Sequence, residues 1–159
     1  MQKRVNELIA RFNLQAHPEG GYYSEEYRSE IGLPNMDRQL MTSIYFLLPS
    51  EHVSNFHRIK SDELWFFHEG SPLTVHTLGK NGHTENLLGL NFEKGESPQL
   101  LVKADTIFGS SVNEADSYSF VSCVVAPGFD FRDFELFTSE ELLKDYSEFE
   151  EIVRKLTLK

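Results

Sequence analysis

ELWFFHEGSPLTVHTLGKNG, residues 63–82, decides the fold. Its first six residues, Glu63 to His68, are rich in aromatics and close at Glu69-Gly70, the reading of a short strand ended by a turn. Leu73 to Leu78 then alternates, the period of a half-buried strand. Gly79-Lys80-Asn81-Gly82 follows as a strong hairpin signal.

The same texture extends in both directions. Upstream, Tyr22 to Arg28, Leu40 to Leu48 and Asn55 to Ile59 read as strands, with loop residues over 29–38. Downstream come Thr84 to Leu90, Gln99 to Val102, Thr106 to Phe108 and Tyr118 to Val125, several of them separated by turn signals such as Glu93-Lys94-Gly95. Many short strands at close spacing indicate a sandwich or barrel and exclude a doubly wound parallel sheet. Val5, Leu8, Ile9 and Phe12 share one face of a short helix over residues 3–12. Thr138 with Glu141, and Ser147 with Glu150, make capping-box patterns that predict two C-terminal helices. The stretch Pro127 to Phe134 alternates phenylalanines with charges and predicts an extended segment, its phenylalanines packed inward. No linker, repeat or low-complexity tract divides residues 1–159, so the expectation is one domain.

Composition narrows the function classes. Fifteen basic against 25 acidic residues give a formal charge of −10, which repels phosphate backbones and anionic lipids. No nucleic-acid or membrane partner is expected. Cys123 is the single cysteine, so no intramolecular disulfide forms and a reducing, cytoplasmic setting is expected. It sits in an apolar run and reads as a packing residue. The first residues, MQKRVNELIARFNL, do not read as a signal peptide. Phosphate-cradling glycine loops, the G-x-S-x-G elbow and H-E-x-x-H are all absent from the sequence.

The segment His57 to Gly70, HRIKSDELWFFHEG, resembles the first motif of the cupins, G-x5-H-x-H-x3/4-E-x6-G. His57 takes the first histidine position, Glu63 the glutamate and Gly70 the final glycine. Val102 to Phe108 lies where cupins carry their second motif. HPEGGYYSEEYRS (17–29), TSIYFLL (42–48), FHRIKSDELWFF (56–67) and VAPGFDFRDFEL (125–136) resemble one cupin subfamily, formerly a domain of unknown function. That resemblance implies a mainly β cupin jelly-roll barrel with short flanking helices, in a homodimer. It implies no particular reaction.

Metal-dependent cupins hold their ion with three histidines and a glutamate. Here Ile59 replaces the second histidine and Phe108 stands where the third is sought, leaving His57 and Glu63. Two ligands fall short of the three or so that catalytic sites use, so no metal cofactor is expected; any bound ion would rest on His57 and Glu63.

Several residues are candidates for the site. His57 and Glu63 form the leading pair, the carboxylate orienting the imidazole as a general base; a buried, hydrogen-bonded structural pair is the alternative. Tyr23 and Tyr45 are candidate proton donors, each with a packing alternative. The resemblance places Arg28 at the barrel mouth, as an anion clamp or a structural ion pair. Glu19, in His17-Pro18-Glu19-Gly20-Gly21, is either a ligand contact or a turn cap. Trp65, Phe67 and Phe108 are expected to line an apolar, aromatic pocket. Arg58 is expected on the surface, paired near Asp62.

A more distant resemblance, to sugar epimerases acting on nucleotide-linked dehydrorhamnose, implies a metal-independent isomerase or epimerase with His57 as base. A non-catalytic small-ligand barrel and a metal-dependent oxygenase or isomerase are the alternatives. In each, the partner is a small molecule.

Overall fold

Short runs, many of them aromatic or β-branched and ended by glycine, proline or an acidic turn, build two antiparallel sheets in the computed structural model, which describes residues 1–158. The chain begins with α1 (Gln2–Phe12), β1 (Gln15–Ala16) and β2 (Tyr22–Arg28). Then follow β3 (Thr42–Pro49), β4 (Val53–Arg58), β5 (Asp62–Gly70), β6 (Leu73–Gly79) and β7 (Gly82–Leu88). After them come β8 (Gln99–Val102), β9 (Ile107–Val112), β10 (Tyr118–Ala126) and β11 (Glu135–Leu136). The chain closes with α2 (Ser139–Leu143) and α3 (Glu150–Lys155). One sheet has the order β1-β2-β3-β10-β5-β8 and the other β11-β4-β9-β6-β7. They face each other as the expected jelly roll.

Alternation along the strands sorts the apolar residues into three layers. Phe46, Leu48, Trp65, Val75, Phe108 and Val121 fill the lumen between the sheets. Leu47 and Phe120 point the other way, under Val5 and Leu8 of α1. Phe56, Leu78 and Ile107 face outward from the second sheet, under Leu142, Val153 and Leu156 of the C-terminal helices. Both sheets therefore bury both faces over part of their area, which explains why β3 reads as a continuous apolar run. No helix among the described residues is long and apolar enough to cross a membrane.

Local predictions held or failed for identifiable reasons. The Thr138–Glu141 capping box is complete. The Ser147–Glu150 box is absent: Ser147–Phe149 forms a 3-10 turn, and α3 starts on Phe149 without a side-chain cap. The extended segment predicted over 127–134 contains a 3-10 turn at Phe131–Asp133, capped by the Asp130 side chain accepting from Arg132 N. Arg58 pairs with Glu135 at 2.7 Å, across the β4–β11 register, and not with Asp62. Asp62 instead accepts from Lys103 Nζ and Ala104 N, each at 2.9 Å.

Candidate functional site

One end of the lumen stays open as a cavity of about 500 Å³. Its position follows from the turn at 17–21. Gly20 N–H donates to the His17 carbonyl and His17 N–H to the Gly21 carbonyl, both at 3.0 Å. Gly20 has φ +116°, and a Cβ there would stand 2.0 Å from the Val53 carbonyl oxygen. Only glycine lets this turn lie flat on β4. The contact carries Glu19 into the barrel: its backbone carbonyl accepts from Asn55 N at 2.7 Å and from Asn55 Nδ2 at 2.9 Å. Gly20→Ala is therefore expected to cost about 1–3 kcal/mol, read as a lower urea midpoint with an unchanged m value. A midpoint equal to that of the wild type would show that the turn does not need to dock this closely.

Inside, Glu19 is the hub. Its Oε2 lies 2.9 Å from His57 Nε2 and 3.6 Å from His17 Nδ1, and its Oε1 accepts from Ser54 Oγ at 2.9 Å. His57 Nδ1–H donates to the Asn55 carbonyl at 2.7 Å. Both ring nitrogens of His57 thus face acceptors, the environment of an imidazolium. Burial alone pulls His57 down, but the Glu19 charge and hydrogen bond, helped by Asn55, raise it above the ordinary imidazole value. For Glu19 the balance is the mirror image: burial raises it, and His57, His17 and Ser54 together hold it well below the usual carboxylate range. His17 is different. Its Nδ1 accepts from Glu19 N–H at 3.2 Å, and burial lowers its pKa against the opposing pull of the Glu19 charge.

Glu63 is also buried, but without a partner. Its Oε2 makes no hydrogen bond, and neither does Trp65 Nε1. Burial first, and the Glu19 charge second, push its carboxyl up to about 7, against a smaller opposing pull from His57 and the nearby Trp65 indole. Cys123 lies in the wall beside it, and burial pushes its thiol well above the ordinary value, leaving no thiolate for chemistry.

The expected residues divide accordingly. His57, Glu63, Tyr23, Glu19, Arg28 and Trp65 all line the cavity. The carboxylate that holds His57 is Glu19, where Glu63 had been expected. Tyr45 is not in the cavity: it projects from the opposite face of β3 to Ile44 and Phe46 and packs on Phe12 and Phe120 beneath α1. Phe67 shares the lumen face with Glu63 and Trp65 but lies beyond the cavity, against the core. Phe108 stands behind the wall, its ring 4.2 Å from that of His57. Arg28 is at the mouth, where it donates to Glu25 at 2.6 Å and to the Phe129 carbonyl at 3.0 Å.

Local sequence missed His17, Ser54 and the phenylalanines of 129–134. Phe129, Phe131 and Phe134 were expected to pack inward; instead they line the cavity, Phe131 and Phe134 with rings within 6.1 Å and 5.9 Å of His17. The two elements that carry His17 and these phenylalanines are the turn at 17–21 and the segment after β10, both among the stretches that carried the family resemblance.

The family model described as "Cupin superfamily (DUF985)" matches residues 6–137. The chain belongs to the cupin superfamily. It is similar to protein SO0799 from Shewanella oneidensis, with 45% identity over 96% of each chain and a TM-score of 0.91. A hypothetical protein from Leishmania major is 38% identical over 97% of this chain and 98% of its own, with a TM-score of 0.89. Among curated sequences, the uncharacterized protein YML079W of Saccharomyces cerevisiae is 28% identical, over 88% of this chain and 78% of its own length.

Some cupins hold a metal in the barrel, and the donor set can be tested against that. Ile59 and Phe108 are both buried apolar side chains where imidazoles would be needed. His57 Nε2 is turned to Glu19. Among the described residues, the three His, Cys, Asp or Glu donors that converge within 4.8 Å lie elsewhere, on β6 and β7. The cavity of this cupin does not fit such an ion.

Proposed function

We propose that this cupin binds a small organic molecule in the cavity and moves a proton on it, an isomerase- or epimerase-type step. The observation that supports this is Glu63: a buried carboxyl in the cavity wall, one oxygen without a hydrogen-bond partner, pushed up to about 7. A group divided between acid and base near neutral pH is suited to take a proton from a carbon beside a carbonyl and return it. The Glu19 carboxylate and the Asn55 carbonyl occupy the two His57 nitrogens, so His57 serves better as a fixed positive charge near developing oxygen charge than as the base. Tyr23 offers a phenol on the same cavity, and Arg28 sits at its edge for an anionic substituent.

The aromatic mouth favours a second reading. Phe129, Phe131 and Phe134 pack edge to face, with centroids 4.9–6.4 Å apart, a surface suited to a flat ligand held without chemistry.

One experiment separates the two. Small carbonyl compounds are incubated with the protein in D2O, and exchange of carbon-bound protons is followed by NMR. The expected result is exchange into at least one compound, reduced at least about 100-fold in Glu63→Gln with ligand-induced thermal stabilisation retained. Exchange that persists in Glu63→Gln overturns the role of Glu63. Stabilisation by ligands that show no exchange supports the binding reading instead.

A further inference from the structure

A second cleft, of about 390 Å³, lies on the outer face of the five-stranded sheet, beneath the C-terminal turn and helix. The hairpin builds it. Gly79 pairs with Gly82, whose φ is +80°, and this tight turn locks the β6–β7 register. In that register His76 is opposite Glu85 and Leu78 is opposite His83. Val75 points into the lumen, so alternation sends His76, His83 and Glu85 to the same outer face. His76 Nδ1 stands 2.9 Å from His83 Nε2 and 3.9 Å from Glu85 Oε1, and all three donor atoms lie within 4.8 Å of one another.

We propose that His76 Nδ1, His83 Nε2 and Glu85 Oε1 form a three-ligand site for a divalent transition-metal ion, zinc above all. Two imidazoles and one carboxylate are a donor set that zinc accepts, leaving a fourth position open. Donor atoms of a tetrahedral zinc, at about 2.0–2.1 Å from the metal, are about 3.3 Å apart. The two measured separations fall on either side of that value, and the third is within 4.8 Å, so small side-chain movements bring the donors to the ion. The residues free to make them are the right ones. His76 is 4% exposed and anchored, its Nε2 2.9 Å from Ser111 Oγ, whereas the Glu85 side chain is 61% exposed.

The Ser111 contact also fixes chemistry. With Nε2–H donating to Ser111 Oγ, Nδ1 presents its lone pair toward the cleft, as a ligating histidine held by an outer partner does. Without an ion, the two facing nitrogens can share only one proton, a single hydrogen bond in place of two ligand bonds. The surroundings add charge of both signs. Glu148 and Glu151 line the cleft and favour a cation; Lys155 lines it too and opposes one. The cleft lies across the sheet from the cavity of Glu63, so the two sites are tested independently.

The test is direct titration. Chelator-treated protein is titrated with zinc chloride against a chromophoric zinc indicator, with cobalt(II) absorption reporting coordination geometry. The expected result is one zinc per chain and a tetrahedral cobalt spectrum. Affinity should fall at least about 100-fold in His83→Ala, about tenfold in Ser111→Ala, and not at all in His52→Ala. His83 is only partly buried, so its loss leaves the fold intact, which circular dichroism would verify. Absence of stoichiometric zinc, or zinc binding that survives His83→Ala, overturns the site and leaves a histidine pair joined by a hydrogen bond.

Discussion

Glu19→Ala is expected to destabilise the protein by about 3–5 kcal/mol near pH 6, the cost of stranding one member of a buried ion pair. The imidazolium of His57, 3% exposed, is left with the Asn55 carbonyl and only the weaker pull of Glu63. It then sheds its proton, and its pKa falls below the ordinary value of 6.5. The pH profile identifies the cause. Glu19 has a lowered folded pKa, so its contribution is present above its ordinary value of 4.5 and fades as pH falls toward the folded one. His57 has a raised folded pKa, so its contribution is complete below 6.5 and is lost as pH rises through the folded value. The pair is therefore worth most between about 4.5 and 6.5, and the wild-type advantage over Glu19→Ala should peak there. Glu63 slopes the same window: its carboxyl is raised, so its contribution is full below its ordinary 4.5 and is lost as pH climbs to about 7. Urea titrations across pH, with imidazole nitrogen shifts for His57, make the measurement. A stability difference that is flat with pH would mean that Glu19 acts through packing and not through charge.

This hub shows where reading the residues in order runs out. His57, Glu63 and Trp65 lie within nine residues, on two consecutive strands, one in each sheet, joined by a short turn, and their spacing carries the motif. Glu19 reaches His57 across 38 positions, through a turn whose depth is set by Gly20 against Val53. No local period encodes that contact; only the close approach of two backbones does. Tyr45 fails for another reason. Because α1 covers the outer face of β3, both faces of that strand are apolar, and composition cannot say which one sees the cavity. Phe67 shows a third limit: alternation assigned its face correctly, but the cavity occupies one end of the barrel and Phe67 lies toward the other. The cleft histidines were hidden likewise, since His76, His83 and Glu85 converge only once the hairpin register is set.

Trp65→Ala is expected to cost about 3–5 kcal/mol, with the lumen widened in place of the ring. Trp65 is 1% exposed and meets Phe46 and Phe108 edge to face at centroid distances of 6.0 Å and 6.3 Å. Its Nε1 makes no hydrogen bond of good geometry and only a weak polar contact with Glu63, so the loss is chiefly packing and apolar burial. Trp65→Phe keeps an aromatic ring between the same neighbours and should cost less than half as much. The consequence reaches the chemistry. Burial is the largest cause of the raised Glu63 carboxyl, and the Trp65 ring is part of the wall that keeps water from it. Opening that wall admits water, so the Glu63 pKa should drop toward its ordinary 4.5 in Trp65→Ala and stay high in Trp65→Phe. Circular dichroism in urea gives the stability, and carbon-13 titration of the Glu63 carboxyl gives the pKa. A Glu63 that titrates unchanged in Trp65→Ala would assign its raised value to the Glu19 charge, and the pocket's acid–base character would then depend on the ion pair alone.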